Sequence, residues 1–427
     1  MGGMDGVTRA DPGVLKAALE LYLDLHLHPE PSGGEERSAG LLADWLAEDG
    51  YAVTRGLGGH GVAGVLRRGP GPTVLVRAEL DALPVHEETG LRYASRVPGV
   101  AHACGHDLHV AALAGAARLL ARGARDAGRG TGDAGRGTGT LVVVGQPAEE
   151  TLTGARAMLA DGLYERCGTP DAVLAQHSAP LPAGTVAHGA GPLLAGSRAL
   201  DVVLRGTGGH AGAPQLTVDP VVAAAAAVLR LQAVVSRETS PAEQAVLTVG
   251  RLRAGEAANV VPDRAELGVS LRAFSDAALD RLEEATRRVV TAESDASRCP
   301  APPSFERVSA SPPLVPDASL AEAVRRGHAE ELGEGRVGRW APATAAEDFG
   351  WFGPAGEELH GRRGIRLAYW MLGTVGADPG AAPGNHSPAF APLVRTALPT
   401  GITALAVAVE RALLHCASSG GPPARLR

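Results

Sequence analysis

The sequence predicts an α/β fold in which a mainly parallel sheet carries helices on both faces and a second, smaller domain is inserted. Short apolar runs at residues 73–78 and 140–145 are typical of buried strands, and helix-forming segments alternate with such runs along the chain. Residues 195–308 change to the order β-α-β-β-α-β, which indicates a ferredoxin-like, split βαβ unit. At 427 residues the chain is also longer than one ordinary core supports. Two domains are therefore expected.

The first domain is predicted to open with a helix at residues 12–28, because Asp11 is a good capping residue and Pro12 suits a first helical turn. The other elements expected in this domain are helices at 35–48, 108–122, 318–332 and 397–415 and strands at 51–55, 62–67, 73–78, 140–145, 172–176 and 365–372. The elements expected in the inserted domain are strands at 198–205, 245–253, 264–274 and 304–309 and helices at 220–237 and 275–293. Residues 1–194 and 309–427 are thus expected to form the first domain, and residues 195–308 the inserted second domain.

A tandem repeat separates the predicted helix at 108–122 from the next strand. Residues 126–132 read Asp-Ala-Gly-Arg-Gly-Thr-Gly and recur without change at 133–139. Such a glycine-dense segment buries little apolar surface, so we expect a disordered surface loop without packed contacts. A phosphate-binding loop is disfavoured, because no Gly-Lys-Ser/Thr follows and the glycines precede a strand.

Composition and charge exclude several classes of partner. The net charge is -7, and the basic residues are scattered, which argues against a nucleic-acid partner. No uncharged apolar run approaches the roughly 18 residues of a membrane span, and residues 1–5 show neither the basic nor the apolar region typical of a secretion signal, so none is expected. We therefore expect no membrane partner and a cytoplasmic location.

Three segments together predict a split metal site. His102-Ala-Cys104-Gly-His106-Asp107 places a thiolate and an imidazole one residue apart in a turn that a glycine allows to twist. Glu149 and Glu150 offer one carboxylate for the ion and one to take a proton from water, and His386 lies in the third segment. The chain has 4 widely spaced cysteines and hence no expected disulfide framework, so Cys104 is free to act as a ligand.

Each fragment alone is common in proteins that bind no metal. A lone Cys-x-His is more often a pair of unrelated residues, and adjacent glutamates are more often a solvated surface feature. Here, however, the glutamates directly follow the apolar run at 140–145, and His177 ends another apolar run at 172–176. Functional groups of α/β proteins lie at the carboxyl ends of such strands, so the positions of these residues favour a metal site over unrelated surface residues.

With these motifs in order, the chain resembles the metal-dependent N-acyl-amino-acid amidohydrolases over almost its whole length. This family includes hippurate hydrolases and plant auxin-conjugate hydrolases, and it belongs with carboxypeptidase G, aminoacylase and succinyl-diaminopimelate desuccinylase. The segments that carry the resemblance are residues 24–30, 77–84, 102–107, 146–150, 208–210, 259–262, 347–349 and 386–388.

The resemblance implies a role for each site residue. The metal ligands would be Cys104, His106, Glu150, His177 and His386, holding one or two divalent ions per subunit. Zinc suits this donor set best, while manganese, nickel and cobalt remain admissible. Glu149 would be the general base, with Asp81 and Asp107 steadying the ligands from behind.

The resemblance implies that the inserted domain, residues 195–308, is a dimerisation and lid domain that completes the site. The resemblance implies that His210 reaches across a homodimer, or a higher oligomer, to the oxyanion formed on the substrate. Asn259 and Arg272 would bind the carbonyl or carboxylate of a small N-acyl amino acid. The chemistry of arginine independently suits this role, since its guanidinium can bind a carboxylate with paired hydrogen bonds. The alternative is that Arg272 is a solvent-exposed strand residue without a role in binding.

The expected activity is hydrolysis of an N-acyl amino acid to a carboxylic acid and a free amino acid. The chain departs from the family at Glu79, usually aspartate, at Thr207, commonly lysine, and at Gln215, usually histidine. These departures motivate one alternative, a homologue that binds metal or ligand without turnover. A dipeptidase or carboxypeptidase on the same scaffold is a second alternative.

Overall fold

The computed structural model describes residues 11–128, 137–376, 378, 380 and 382–419. The strands are β1 (Ala52–Leu57), β2 (Gly61–Arg67), β3 (Thr73–Glu79), β4 (Thr140–Gln146), β5 (Ala172–Pro182), β6 (Val186–His188), β7 (Gly196–Arg205), β8 (Gly209–His210), β9 (Ala245–Ala254), β10 (Val260–Val261), β11 (Arg264–Ala273), β12 (Ala301–Ser311), β13 (Val337–Arg339) and β14 (Arg366–Val375). The helices are α1 (Pro12–Leu27), α2 (Glu36–Glu48), α3 (His106–Gly128), α4 (Gly154–Ala160), α5 (Leu163–Cys167), α6 (Pro220–Ala233), α7 (Asp276–Ala296), α8 (Ala318–Leu332), α9 (Glu357–His360) and α10 (Val394–Ser419).

The described chain divides into two compact units. The first holds the described residues up to Gly191, Val315–Ala341 and those from Asp348 on, and the second holds Pro192–Leu314 with Pro342–Glu347. The first unit is built on a mixed sheet of order β1-β2-β4-β3-β5-β14-β6-β13. Strands β4, β3, β5 and β14 pair in parallel at its centre. The predicted α/β class with a mainly parallel sheet is confirmed.

The central strands form as predicted because they are buried along almost their full length. Val74, Val143 and Leu174 are fully buried, as parallel strands covered by helices require. Helix α3 packs on α1 and α10 within the same core. The predicted start of α1 is also present, where Asp11 Oδ1 accepts a hydrogen bond of 2.7 Å from the Gly13 amide.

The register of the central strands shows which of them end side by side near the predicted site. Strands β3 and β4 end side by side, since Glu79 is opposite Gln146. The sequence-based expectation that His177 follows the end of its strand is wrong. Strand β5 continues to Pro182, because β14 pairs beside it and His177 lies opposite Met371. His177 is nevertheless level with the ends of β3 and β4, because Arg77 of β3 is opposite Ala175 of β5.

The glycine-rich repeat differs in part from its prediction. Helix α3 extends to Gly128, beyond the predicted end near residue 122, and residues 129–136 lie outside the described residues. At the end of the second repeat, the Gly137 amide donates a 2.9 Å hydrogen bond to Glu410 of α10. Glu410 is itself paired with Arg68 at 2.7 Å. The expectation of no packed contacts is therefore wrong for this end of the repeat.

The second unit has the predicted β-α-β-β-α-β order. Its antiparallel sheet has the order β12-β7-β11-β9, with the helices α6 and α7 packed on each other and on the sheet. Alternate residues of β11 are buried, among them Leu267, Val269 and Leu271, so one face of the sheet forms the core with the two helices. The short strands β8 and β10 pair separately, which brings His210 opposite Val260.

Within the part of the chain that the structure describes, two helical stretches have the length and apolar composition of a membrane span, Pro220–Glu238 and Val394–Ser418. In the second stretch, 83% of the most apolar 18-residue segment is buried inside the protein, where α10 forms part of the core of the first unit. In the first stretch only 33% of the corresponding 18-residue segment is buried. Val222 and Leu229 accordingly expose apolar side chains on α6.

Candidate metal centre

The five residues predicted as metal ligands meet at one place in the first unit. The donor atoms of Cys104, His106 and Glu150 all lie within 4.8 Å of one another. Cys104 Sγ is 3.6 Å from His177 Nε2, and Glu150 Oε2 is 3.4 Å from His386 Nε2. The set thus comes from the turn before α3 and the first residue of that helix, the segment after β4, the middle of β5 and the loop before α10.

The imidazoles are oriented by their other ring nitrogens. His106 Nδ1 donates to the carbonyl of Asp81 at 2.8 Å, and His177 Nδ1 donates to the carbonyl of Ser178 at 2.8 Å. In each ring Nδ1 therefore carries a proton, and Nε2 faces the cluster, where its lone pair can bind an ion. This is the arrangement by which proteins present histidine to a metal ion.

The donor set fits a metal ion. Among the described residues, His106 Nε2 and Glu150 Oε1 are buried and have no hydrogen-bond partner. Buried polar atoms without partners are rare in folded proteins, and they often mark a position where an ion binds. A thiolate, imidazoles and a carboxylate are also the ligands that zinc and its neighbours in the periodic table accept.

Electrostatics at the cluster favour a thiolate. Burial by itself raises the pKa of the Cys104 thiol, but the imidazoles of His177 and His106 outweigh it and hold the pKa well below its usual value. For Glu150, burial dominates and raises the pKa, while His386 partly offsets it. His386 is the most open of the five, with 55% of its side chain exposed.

A tight turn places Glu149 beside the ligands. Glu149 is buried, and its Oε2 lies 3.7 Å from His106 Nε2. On either side of the glutamate pair, Ala148 and Leu152 have φ of 51° and 57°, a left-handed conformation that is uncommon for residues other than glycine. The turn is closed by the Leu152 amide, which donates to the Glu149 carbonyl at 2.7 Å. Strain of this kind is found at functional sites.

The two aspartates predicted to steady the ligands lie behind them. Asp81 Oδ2 accepts hydrogen bonds from Ser32 Oγ at 2.7 Å and from the Glu150 amide at 2.9 Å. Asp107 Oδ1 accepts from the Leu108 amide at 2.8 Å, and its Oδ2 is 2.6 Å from His26 Nδ1. Both carboxylates thus fix the backbone that carries a predicted ligand.

Sequence reasoning missed His26, which it treated as an ordinary histidine. The ring is buried between the carboxylates of Asp107 and Glu87, whose Oε1 is 3.3 Å from His26 Nε2. Burial lowers the pKa of His26, but the two carboxylates together raise it above its usual value. No pattern in the sequence links these residues, since they are 61 and 81 positions from His26.

A second unpredicted network lies under the cluster. His109 Nδ1 donates to Glu79 Oε2 at 2.8 Å, and His109 Nε2 accepts from the Ser178 amide at 2.8 Å. The donor atoms of Glu79 and His109 lie close to those of His106 and His177, yet both ring nitrogens of His109 are already engaged within the protein. We therefore assign His109 to the support of Ser178 rather than to the ligand set.

Arg77 joins this network to the neighbouring strand. Its guanidinium contacts Glu79, Gln146 Oε1 at 2.8 Å and Asp348 Oδ1 at 3.1 Å, all in the buried interior. Although burial opposes it, the positive charge of Arg77 and the imidazole of His109 hold the pKa of Glu79 well below its usual value. Glu79, which departs from the family's aspartate, is thus fully engaged.

The residues predicted for substrate recognition all lie in the second unit. His210 is exposed, and its Nδ1 accepts from the Gly212 amide at 2.9 Å. Asn259 is its neighbour, because the Ala211 amide donates to the Asn259 carbonyl at 3.1 Å. Arg272 Nη1 donates to the Thr344 carbonyl at 2.6 Å, and burial lowers the pKa of its guanidinium.

Comparison with known proteins agrees with this geometry. The model of the peptidase family M20/M25/M40 matches residues 75–411. The IAA-amino acid hydrolase ILR1-like 2 of Arabidopsis thaliana is 34% identical over 344 residues, which cover 80% of this chain and 75% of that protein. The N-acetylcysteine deacetylase of Bacillus subtilis is 36% identical over 283 residues, which cover 66% of this chain and 71% of that protein.

A solved structure matches as well. The YXEP protein of Bacillus subtilis, described as a dinuclear metal-binding peptidase of the M20 family, has a TM-score of 0.73 and 28% identity, covering 94% of this chain and 100% of that one. The family model covers the segments that carry Cys104, Glu150 and His386. The chain belongs to the peptidase family M20/M25/M40 and is a hydrolase that acts on amide bonds.

Proposed function

We propose that this protein hydrolyses N-acyl amino acids to a carboxylic acid and a free amino acid, using one or two divalent metal ions per subunit. The observation that carries the proposal is the position of Glu149, a buried carboxylate 3.7 Å from His106 Nε2, in a cluster of five side chains that are predicted to bind metal. Its relatives that act on IAA-amino acid conjugates and on N-acetylcysteine support this choice of substrate.

Each group of the cluster has a defined task. Cys104, His106, Glu150, His177 and His386 would hold the metal, for which zinc is the best match to the donors and manganese, nickel and cobalt are alternatives. When bound, the metal supplies a Lewis acid for the amide carbonyl and lowers the pKa of water toward about 7. Glu149 accepts the proton of the attacking water and then delivers it to the leaving nitrogen. Asp81 and Asp107 keep the ligands in place.

Groups of the second unit would recognise the substrate. Arg272 suits a carboxylate, because its guanidinium can form paired hydrogen bonds, and Asn259 offers an amide to a carbonyl. The Nδ1 of His210 already accepts a backbone hydrogen bond, so its ring proton sits on Nε2, ready to be donated to a developing oxyanion. In this proposal His210 acts in the active site of a second subunit.

A homodimer through the second unit follows from that role, and higher oligomers can be built from such dimers. The strands β9 and β12 are the edges of their sheet, and each leaves backbone groups for a partner. The same unit exposes Leu216, Val222 and Leu229. Exposed apolar side chains of this size are typical of protein interfaces when they lie together.

The test is product identification over a panel of N-acyl amino acids and dipeptides, with metal content measured in the same preparation. Release of an amino acid from N-acyl substrates, with little cleavage of dipeptides, is expected. Efficient cleavage of dipeptides instead would identify a dipeptidase. Tight metal binding without any product would indicate a homologue that binds but does not turn over.

A further inference from the structure

Asn385 lies beside the predicted thiolate ligand, although no motif singled it out. Its amide nitrogen Nδ2 is 3.5 Å from Cys104 Sγ, 3.3 Å from the Ser178 carbonyl oxygen and 3.3 Å from Ser178 Oγ. The first of these distances is normal for a hydrogen bond to sulfur, which is a larger atom than oxygen. The side chain is partly buried, so the contacts are only partly open to competition from solvent.

The chemistry of the neighbours fixes which end of the amide faces them. A thiolate and a backbone carbonyl can only accept hydrogen bonds. Ser178 Oγ gives its proton to the Cys104 carbonyl at 2.7 Å, so toward Asn385 it too can only accept. Three acceptors therefore surround Nδ2, and the amide oxygen must point away. The hydrogen-bond network alone thus determines the orientation of this amide.

The backbone holds this amide in position. The amide of the next residue, His386, donates to the Ala103 carbonyl at 2.7 Å, which ties the loop to the turn that carries Cys104. His386 has φ of 68°, a left-handed conformation that a residue other than glycine adopts only when its surroundings enforce it. Asn385 is thus fixed against the sulfur from its own backbone as well as through its side chain.

We propose that Asn385 is a positioning residue that donates a hydrogen bond to the Cys104 thiolate and so tunes the metal centre. The inference deepens the proposed function, because it rests on Cys104 being a metal ligand. An N–H···S bond withdraws electron density from sulfur, which leaves a bound ion more electrophilic. The Ser178 carbonyl oxygen also accepts a hydrogen bond from His177 Nδ1 at 2.8 Å. Asn385 therefore shares this acceptor with His177, a second predicted ligand whose ring the same carbonyl orients.

Cobalt substitution tests this role without relying on activity alone. A thiolate bound to Co²⁺ gives a charge-transfer band in the near ultraviolet, and the band moves to longer wavelength as electron density on sulfur increases. In Asn385→Leu, which has similar size but no donor, the band should move to longer wavelength and kcat/KM should fall about 10 to 100-fold. Asn385→Gln, which keeps an amide, should move the band part of the way back and restore part of kcat/KM. Ser387→Ala, in the same loop, is the matched control and should leave the band in place.

The outcomes separate the two proposals. A wild-type cobalt protein without a thiolate band would mean that Cys104 is not a ligand, which overturns the proposed metal centre and the role of Asn385 with it. A wild-type band that stays unmoved in Asn385→Leu overturns the role of Asn385 alone. An equal shift in Ser387→Ala would assign the effect to the loop as a whole, and would also overturn it.

Discussion

Glu149 and Glu150 are adjacent in the chain but differ in their surroundings. Glu150 lies between two predicted ligands, with its oxygens 3.9 Å from His106 Nε2 and 3.4 Å from His386 Nε2. Its amide is also held by Asp81 Oδ2 at 2.9 Å, so the direction of its side chain is set from the backbone. Glu149 approaches His106 with its Oε2, at 3.7 Å, from a position where a carboxylate can exchange a proton with water at the cluster.

Exchanging each glutamate for glutamine should separate these roles. Glu149→Gln should keep its metal and lose turnover by about 10² to 10⁴-fold, because a glutamine cannot accept the proton. Glu150→Gln should lose metal as well as turnover. Metal content by elemental analysis, measured beside kcat on the same samples, checks both. Loss of metal from Glu149→Gln, with retention in Glu150→Gln, would reverse the assignment.

Cys104 and Cys167 are both buried, so they allow a matched comparison at the ligand set. Cys104→Ser should raise the dissociation constant for Zn²⁺ sharply, since a hydroxyl is a far weaker ligand than a thiolate. Cys167→Ser should leave zinc affinity unchanged, because this residue ends α5 and is not in the cluster. Competition with a chromogenic chelator gives both constants. Equal affinity in wild type and Cys104→Ser would exclude the thiolate as a ligand.

Local motifs reveal groups that touch the ion but not the groups that orient them. Cys104 and His106 are one residue apart, and Glu150 follows a recognisable strand, so short-range patterns suffice. The contacts of His26 with Asp107 and of Asn385 with Cys104 span 81 and 281 positions. Such pairings depend on how the chain returns to the same place, which spacing along the sequence does not encode.

Between elements, a buried pair of histidines joins β6, α8 and α10. His328 Nε2 donates to the Ala404 carbonyl at 2.9 Å, so its Nδ1 is free to accept from His188 Nε2, also at 2.9 Å. The ring of His328 is therefore neutral, and Trp370 packs against both rings. Burial lowers the pKa of His328 to about 4, and burial together with the neighbouring His328 lowers the pKa of His188 to about 2.

This pair should make the metal-free protein sensitive to acid. Below a pH of about 6.5, the unfolded chain takes up protons at both histidines while the folded protein does not, so folding loses stability as pH falls. For His328 alone the free energy of unfolding should decrease by about 3 kcal/mol from pH 6.5 to 4. Urea unfolding in the presence of a chelator, repeated at several pH values, measures this free energy of unfolding. His328→Gln should flatten the dependence, whereas the surface variant His86→Gln should not; identical slopes in all three proteins would contradict the assignment.

Element boundaries show where sequence patterns stop being informative. The buried strands β3 and β4 are predictable to within a residue or two, because their apolar runs are bounded by polar residues. The end of β5 is not, since most residues past 176 are polar or proline and are held in the strand by the partner β14. Strands β6 and β13, of 3 residues each, are too short for any periodic signal.

At the scale of the molecule, the class of each sheet was predictable but strand order was not. The split βαβ order of the second unit follows from alternating helices and strands, which local patterns show well. In the first unit, β14 inserts between β5 and β6 after the chain has passed through the second unit. Only the packing of the complete core decides that order.

The last prediction concerns the assembly that the proposed role of His210 requires. If His210 serves the active site of a second subunit, His210→Ala should lower turnover by about 10² to 10³-fold while leaving metal content intact, because it removes a donor to charge that develops only in the transition state. Mixing this variant with Glu149→Gln is the sharper measurement. A mixed dimer then has one site with both lesions and one with neither, so about a quarter of wild-type activity should return after random exchange of subunits. Each variant mixed with itself is the control. Mixed dimers that are verified by mass spectrometry and remain inactive would exclude a role for His210 across the interface.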